Sequence, residues 1–455
     1  MTLRARMGAF MRFIPHTDAE VAQMLAAVGA KDVSELFADI PAEFQQRSDL
    51  DLGAAMDEAA LIREFESLAS RNATTQSVTS FVGAGAYDHF VPAAVRALAT
   101  RAEFVTAYTP YQPELSQGTL QAQFEFQTLV ARLLGLDVAN ASMYEGATAL
   151  AEACLMARRQ TRRARVIVSR AVHPEYRAVL RTYVGAEHLV EAPFAADGAT
   201  DASAIEGLVT TDAAAVVIQS PNFFGVVEDL AAFAKVAHDR EALLVATFTE
   251  PLAFGLCEPP GALGADVAAG EGQSFGLPLS FGGPYVGLFA VRKALVKGMP
   301  GRLVGRTVDA RGTPCYTLTL AAREQHIRRA RASSNICTNE GLCALTVAVY
   351  LSLLGRTGLK RLALFNHLRA EALKARLSQV PGVSIAFLGA TFNEFVVRLG
   401  RPAAAVAEAL ARGGLVPGLP LGAHYPELDD ALLVTVTETR TDADFDRLIA
   451  GVSGS

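Results

Sequence analysis

Lysine is scarce in this chain of 455 residues; only Lys31, Lys235, Lys293, Lys297, Lys360 and Lys374 are present. Chemistry that needs a lysine amine therefore has few places to sit. Cysteine is scarce as well, and Cys154, Cys257, Cys315, Cys337 and Cys343 form no CxxC pair of the zinc-binding kind, so no metal site is expected. They read as scattered reduced thiols of a cytoplasmic protein. A net charge of −6 leaves no basic footprint for nucleic acid. No apolar run approaches the ~20 residues that span a membrane. The opening MTLRARMGAFM carries arginines but lacks the long apolar core of a secretory signal. No internal repeat or low-complexity segment appears. A hydrophobic fraction of 51% with 19% charged residues excludes a disordered chain, and the length exceeds a typical single domain.

What is present is most distinctive at AYTPYQPELSQG, from Ala107 to Gly118. Pro110 and Pro113 forbid a helix interior or central strand, so the stretch is a shaped loop. Behind it Phe126, Leu129, Val130 and Leu133 recur at helical spacing, with Gly135 as a stop. A loop that displays Tyr108, Tyr111, Gln112 and Glu114 from a rigid helix suits a site or an interface. It equally suits a plain connection with tyrosines packed beneath it.

Three regions follow from the patterning. Residues 1–72 read as a polar helical arm, with His16-Thr17-Asp18 as caps before Val21, Met24, Leu25 and Val28. Residues 73–332 alternate apolar runs with amphipathic segments. The strands are expected at Val166–Ser169, Leu189–Ala192, Ala214–Gln219, Leu243–Phe248 and Tyr285–Val291, with helices at Pro174–Tyr183, Ala202–Leu208 and Asp229–Asp239 between them. That alternation predicts an α/β domain around a mostly parallel sheet. Residues 333–455 read as a smaller α/β domain, with strands at Val383–Phe387, Glu394–Leu399 and Leu432–Val436.

Long strings of the chain closely resemble the glycine-cleavage P-protein family, glycine dehydrogenase (decarboxylating). They are RFIPHTD (Arg12 to Asp18), SFVGAGAYDHFVP (Ser80 to Pro92), ANASMYEGATALAEA (Ala139 to Ala153), GRLVGRTVDARG (Gly301 to Gly312) and TLTLAAREQHIRRARASSNICTN (Thr317 to Asn339). The length matches the N-terminal half of the single-chain enzymes, which is how the two-subunit bacterial versions are divided, and the chain resembles their first, or alpha, subunit. The resemblance begins near Met11, so residues 1–10 read as a dispensable extension or an upstream start. It implies the fold-type I architecture of pyridoxal-phosphate enzymes, aspartate aminotransferase-like. It also implies a beta subunit in an alpha2beta2 assembly, glycine as substrate, and the lipoyl arm of an H-protein as acceptor. Two other readings stay open: a self-sufficient pyridoxal-phosphate enzyme, and a regulatory or binding protein on a dead scaffold.

A pyridoxal-phosphate enzyme needs a lysine to hold the cofactor aldehyde and usually an acid beside the ring nitrogen. By resemblance the lysine belongs in GEGQSFGLPLSFGGP (Gly270 to Pro284), where Gln273 stands at its position. The acid belongs at the end of the strand Leu243–Phe248, where Ala246-Thr247-Phe248-Thr249 offers none, although Glu250 follows. The resemblance therefore assigns the covalent cofactor to the beta subunit and no catalytic residue to this chain. Gly146, Ala147 and Thr148 open a helix where relatives cradle phosphate; the alternative is an ordinary turn capped by Thr148. His173 stands where a ring stacks on the cofactor, or packs locally. Pro221-Asn222 resembles a cofactor contact, or forms a turn. Ser333, Ser334, Asn335 and Thr338 follow a basic helix expected over Arg323–Arg331, and resemble a segment that reaches a neighbour's cofactor phosphate; the alternative is an N-cap for the next helix. Tyr108, Tyr111, Gln112 and Glu114 are candidates for the substrate channel or interface. Arg302, Arg306 and Arg311 are either contacts for an acidic carrier or the glycine carboxylate, or solvated surface groups.

Overall fold

The computed structural model describes residues 15–45, 53–105 and 108–454, so residues 1–10, Arg12 to Ile14 and Ala107 of the strings above lie outside the described residues. The chain forms two compact units, Met1–Asn72 and Ala73–Ser455. In the first, helix α1 (Asp18–Val28) starts on a capping box, Thr17 and Glu20 each accepting from the other's backbone N–H, and stops at Gly29 in the left-handed region, φ 75°. Helix α2 (Glu58–Ala69) starts on the Asp57 carboxylate. Neither helix has a buried residue.

The second unit is built on a seven-stranded sheet whose strands lie in the order β1-β7-β6-β5-β4-β2-β3. They are β1 (Val138–Ala139), β2 (Arg165–Ser169), β3 (Leu189–Ala192), β4 (Ala213–Gln219), β5 (Leu243–Phe248), β6 (Val267–Glu271) and β7 (Gly287–Val291). The β3-β2-β4-β5-β6 run is parallel, and β7 pairs antiparallel with both β6 and β1. Helices cover both faces, which is why β4 reads AAAVVIQ, apolar up to its last residue, Gln219, and buried at every position.

Helix α3 (Gln117–Leu134) buries Leu120, Phe126, Val130 and Leu134, and Gly135 ends it at φ 67°. Helix α4 (Gly146–Thr161) is rich in alanine and packs its length against the sheet from the other side. Helices α5 (Pro174–Val184), α6 (Ala202–Leu208) and α7 (Leu230–His238) complete the crossovers. A hairpin, β8 (Leu303–Val308) with β9 (Pro314–Thr319), follows the sheet.

Two expectations need correction here. Arg323–Arg331 is not one helix; it is a 3-10 turn, a four-residue helix Gln325–Arg328 and a second 3-10 turn, with Arg329 at φ 51°. Arg328, Arg329 and Arg331 crowd like charge onto so short a segment, and Arg323 is drawn off to the carbonyls of Met299 and Gly301. The strand expected over Val383–Phe387 is only β10 (Ser384–Ile385): the Val383 N–H is spent on a local turn to the Val380 carbonyl, and beyond Ile385 a single bond, from the Ala386 N–H to the Val396 carbonyl, continues the register.

The C-terminal part carries a four-stranded sheet of β10, β11 (Glu394–Arg398), β12 (Leu419–Pro420) and β13 (Ala431–Thr435). Helix α8 (Gly341–Leu377) serves two cores. Cys343, Ala344, Val347 and Leu351 join the cluster beside the large sheet, whereas Ala370, Leu373 and Leu377 join the cluster of the small one. Among the described helices it alone is long and apolar enough to cross a membrane, though the apolar stretch is interrupted by backbone at Gly355, φ 57° and ψ −180°. Almost only glycine adopts that conformation. A Cβ at Gly355 meets nothing within 4 Å, so Gly355→Ala isolates backbone strain. It is expected to lower stability by about 1–3 kcal/mol in urea denaturation.

Candidate functional site

In an open parallel sheet, ligands sit outside the carboxyl ends of the strands, where helix N-termini also point. That position here gathers Gln219 from β4, Thr247 from β5, Glu271 from β6, Gln273 just beyond, His173 before α5 and Glu145 to Thr148 at the start of α4.

Gln273 is 1% exposed and is fully engaged by backbone. Its Oε1 accepts from the Tyr87 N–H at 2.8 Å, and its Nε2 donates to the carbonyls of Tyr87 at 3.0 Å and Leu277 at 2.7 Å. An amide has both an acceptor and two donors, so it latches Tyr87 as a neighbouring strand would. The Ala84 carbonyl of the same loop accepts from the His173 ring at 2.8 Å. His173 Nδ1 accepts from the Glu175 N–H, so the proton sits on Nε2; burial lowers the affinity of the ring for a second proton. Of the two readings for His173, local packing is the one seen, against Tyr176 and Phe223. Asn222 closes a turn, accepting from Phe224 and Val226 and donating to Gly198 and Glu228.

The start of α4 is filled from within. Glu145, not Thr148, is the cap, accepting from Ala147 at 2.6 Å and Thr148 at 2.9 Å. The Gly146 N–H donates to Glu271 at 2.9 Å. Glu271 also accepts from Gly272, Gln273 and Val286. Burial pushes its carboxyl up to about 7, the Gly146, Val286 and Gly272 amides pulling the other way. A Cβ on Gly146 would collide with the Tyr176 hydroxyl, which closes the remaining space. No acid lies at the end of β5; the Thr247 hydroxyl, the Gln219 amide nitrogen and the Ser274 hydroxyl are buried without partners. These residues do not fit pyridoxal phosphate, since the amine is an amide and the anion cradle holds two carboxylates.

Glu250 is spent on a buried network. His89 donates from Nε2 to Glu250 at 2.9 Å and from Nδ1 to Glu438 at 2.8 Å. Burial opposes the imidazolium, but the two carboxylates overcome it and raise its pKa to about 10. Burial also opposes the Glu438 charge, yet His89 holds that carboxyl down at about 2. Asn393 donates to Glu250, and Asn366 donates to Glu438. Tyr87 donates to Glu394 at 2.8 Å. The loop from Gly83 to Phe90 is thereby tied to the C-terminal sheet as well as to Gln273.

The other candidates meet away from this pocket. Tyr108 is 94% exposed, and Tyr111, Gln112 and Glu114 are also exposed. The N-cap reading of 333–338 does not hold: α8 begins at Gly341 and its N-cap is Glu340, whose N–H donates to the Ser142 hydroxyl. Ser334 turns inward, its hydroxyl accepting from Ile336 and facing buried Glu152. Ser333 is half-buried, with its N–H on the Arg323 carbonyl. Asn335 is exposed and Thr338 half-buried. Arg306 and Arg311 are exposed, whereas Arg302 is buried, contrary to a solvated reading for all three. Arg302 donates to the Tyr111 hydroxyl and to the Cys337 carbonyl, so it joins two segments that sequence reasoning treated separately. Sequence pattern carries no sign of the roles of Arg302, Glu145 and Glu271: glutamate is not among the residues that favour a helix N-cap, and Arg302 and Glu271 find their partners far along the chain.

The chain is similar over nearly its whole length to known proteins. The family model of the glycine cleavage system P-protein matches residues 11–452. A probable glycine dehydrogenase (decarboxylating) subunit 1 of Moorella thermoacetica is 51% identical over 446 residues, covering 98% of this chain and 99% of its own. The protein of the same name from Rhodospirillum centenum is 50% identical over 446 residues, covering 97% of this chain and 99% of its own. A crystal structure of a glycine decarboxylase (P-protein) in inhibitor-bound form superposes with a TM-score of 0.89 at 46% identity, covering 97% of this chain and 99% of that one. A sphingosine-1-phosphate lyase of Burkholderia pseudomallei, at 17% identity, 90% and 92% coverage and a TM-score of 0.63, shares the fold-type I architecture.

The His89 network generates a pH prediction. Its histidine is raised above the ordinary 6.5, so that stabilisation is complete below 6.5 and is lost as pH rises through about 10. Glu438 is depressed below the ordinary 4.5, so its share is complete above 4.5 and is lost as pH falls towards 2. His89→Gln leaves two buried carboxylates without their cation. It is expected to cost about 3–5 kcal/mol near neutrality. Urea denaturation across pH should also show a flatter alkaline limb in the variant than in the parent.

Proposed function

The chain belongs to the glycine cleavage system P-protein family; we propose that it is subunit 1 of a two-subunit glycine dehydrogenase (decarboxylating), inactive on its own. The observation that carries this is the pocket: Gln273 latched to Tyr87, and α4 amides already donating to Glu145 and Glu271. A self-sufficient enzyme would need there an amine and an open anion cradle. On this reading a second subunit, in an alpha2beta2 assembly in the cytoplasm, holds pyridoxal phosphate covalently. When bound, that cofactor supplies the electron sink for loss of carbon dioxide from glycine. The aminomethyl group then passes to the lipoyl arm of an H-protein.

This chain's part is to wall the site and exclude water, which strengthens electrostatics inside it. Tyr108, Tyr111, Gln112 and Glu114 form the channel side, and Asn335 and Thr338 reach towards the partner's cofactor phosphate. Asn335 and Thr338 are the stronger half of the hydroxyl and amide segment, because Ser334 is turned inward.

Co-expression with the second subunit tests the reading: glycine decarboxylation should need both chains. After borohydride reduction of the complex, peptide mapping should find a phosphopyridoxyl group on the second subunit and on none of this chain's lysines. Gln273→Lys should give no glycine decarboxylation without the partner. It should also lose about 1–3 kcal/mol of stability, because an ammonium cannot accept from the Tyr87 N–H. Asn335→Ala and Thr338→Ala should leave the melting temperature of the chain unchanged. Each should weaken cofactor retention by the complex on gel filtration about ten- to hundredfold, the loss of a hydrogen bond to a charged group.

A further inference from the structure

We propose that Arg302 is a positioning residue that locks the 108–118 loop to the 333–339 segment, so that both present one rigid surface. The lock is read from the chain alone; that the surface faces the second subunit rests on the function proposed above.

Arg302 enters β8 from the GRLVGRTVDARG string and is 2% exposed. Its guanidinium spans three stretches of chain. Nη2 donates to the Tyr111 hydroxyl at 2.9 Å and to the Cys337 carbonyl at 2.7 Å, and Nη1 donates to the Asn339 side chain at 3.3 Å. The Tyr111 ring centroid lies 5.0 Å from Cζ, and Glu324 lies 4.0 Å from Nε. The His326 ring meets the edge of Tyr111 at 5.7 Å. A planar fork reaches several acceptors at once, which a lysine ammonium does not.

Each segment has holds of its own, Gln117 exchanging hydrogen bonds with the Tyr316 backbone beside the first, and buried Ile336 with the Cys337 N–H on the Tyr144 hydroxyl in the second; none of these joins the two, whereas Arg302 hydrogen-bonds to both. Tyr108 and Leu115 are 94% and 79% exposed, and no helix or strand lies between Arg331 and Gly341. The arrangement is also costly. Arg302 Nε and Glu324 Oε1 are both buried without a hydrogen-bond partner. A buried, incompletely paired charge stabilises less than a hydrophobic residue of the same size, so packing alone does not account for it. Fixing the geometry of two loops does.

Hydrogen–deuterium exchange of the full chain, followed by titration with the second subunit, tests the lock. Arg302→Met should speed exchange about tenfold or more in peptides covering both 108–118 and 333–339, with β4 and β5 unchanged, as local rather than global opening requires. Tyr111→Phe should speed exchange in 108–118 alone. Arg302→Lys should show a smaller rise in both segments, and it decides by the same criterion if Arg302→Met does not fold. Binding of the second subunit should weaken about tenfold or more in Arg302→Met. Unchanged exchange in either segment, or a rise spread over the sheet, overturns the lock. If the parent chain neither binds the second subunit nor supports glycine decarboxylation with it, the functional reading fails while the exchange result still decides the lock.

Discussion

The first amides of helix α4 have no partner within the helix, and at a strand-end crevice they demand an anion. In a cofactor enzyme of this architecture that demand is met by a ligand phosphate. Here Glu145 and Glu271 meet it, from opposite ends of the large sheet's sequence. Everything nearby follows from that substitution. Glu271 is anchored by the amides of the β6 exit and the Val286 N–H, which places Gln273 under Tyr87. With phosphate excluded and the crevice closed by Tyr176, the pocket becomes core.

The closed pocket supports a second layer of polar contacts. Tyr87 links Gln273 to Glu394, and His89 links Glu250 to Glu438. These ties connect the ends of β5 and β6 with β11 and with the segment after β13. Buried polar networks of this kind are worth having only when their members are satisfied. In this one each carboxylate has a donor, and His89 gives a proton on each ring nitrogen. Asn366 Oδ1 is the network's one buried atom left without a partner, and Gln219 Nε2, Thr247 Oγ1 and Ser274 Oγ are the small polar remainder on the floor of the pocket.

Local features were legible in the sequence where local physics decides them. Leu189–Ala192, Leu243–Phe248 and Ala202–Leu208 fall at the bounds that apolar runs and periodicity suggest. Gly135 stops α3 because its left-handed conformation is nearly free of cost there. Long-range partnerships were not legible. Nothing around Glu271 reveals that it faces Gly146, and nothing around Arg302 reveals Tyr111. The Arg323–Arg331 stretch looks helical by composition, but Arg323 is claimed by distant carbonyls and the turn breaks. For the candidate site, the absence of lysine at Gln273 was readable by resemblance. What the glutamine does instead is set by Tyr87, 186 residues away in the chain.

The exposed segments take their geometry from the large sheet beneath them. Tyr111, Cys337 and Asn339 converge on Arg302 only if the residue before β8 stands at the right place beside the large sheet. The Asn339 side chain donates to the Ala141 carbonyl, and the Ala141 N–H donates to the Arg302 carbonyl, next to the strand β1 that borders β7. The large sheet thus sets the height and direction of both exposed segments. The frame that carries Tyr108, Asn335 and Thr338 is under that geometric constraint. The closed pocket serves that constraint, since a crevice latched by Gln273 and filled by two glutamates holds its strand ends in place without a ligand.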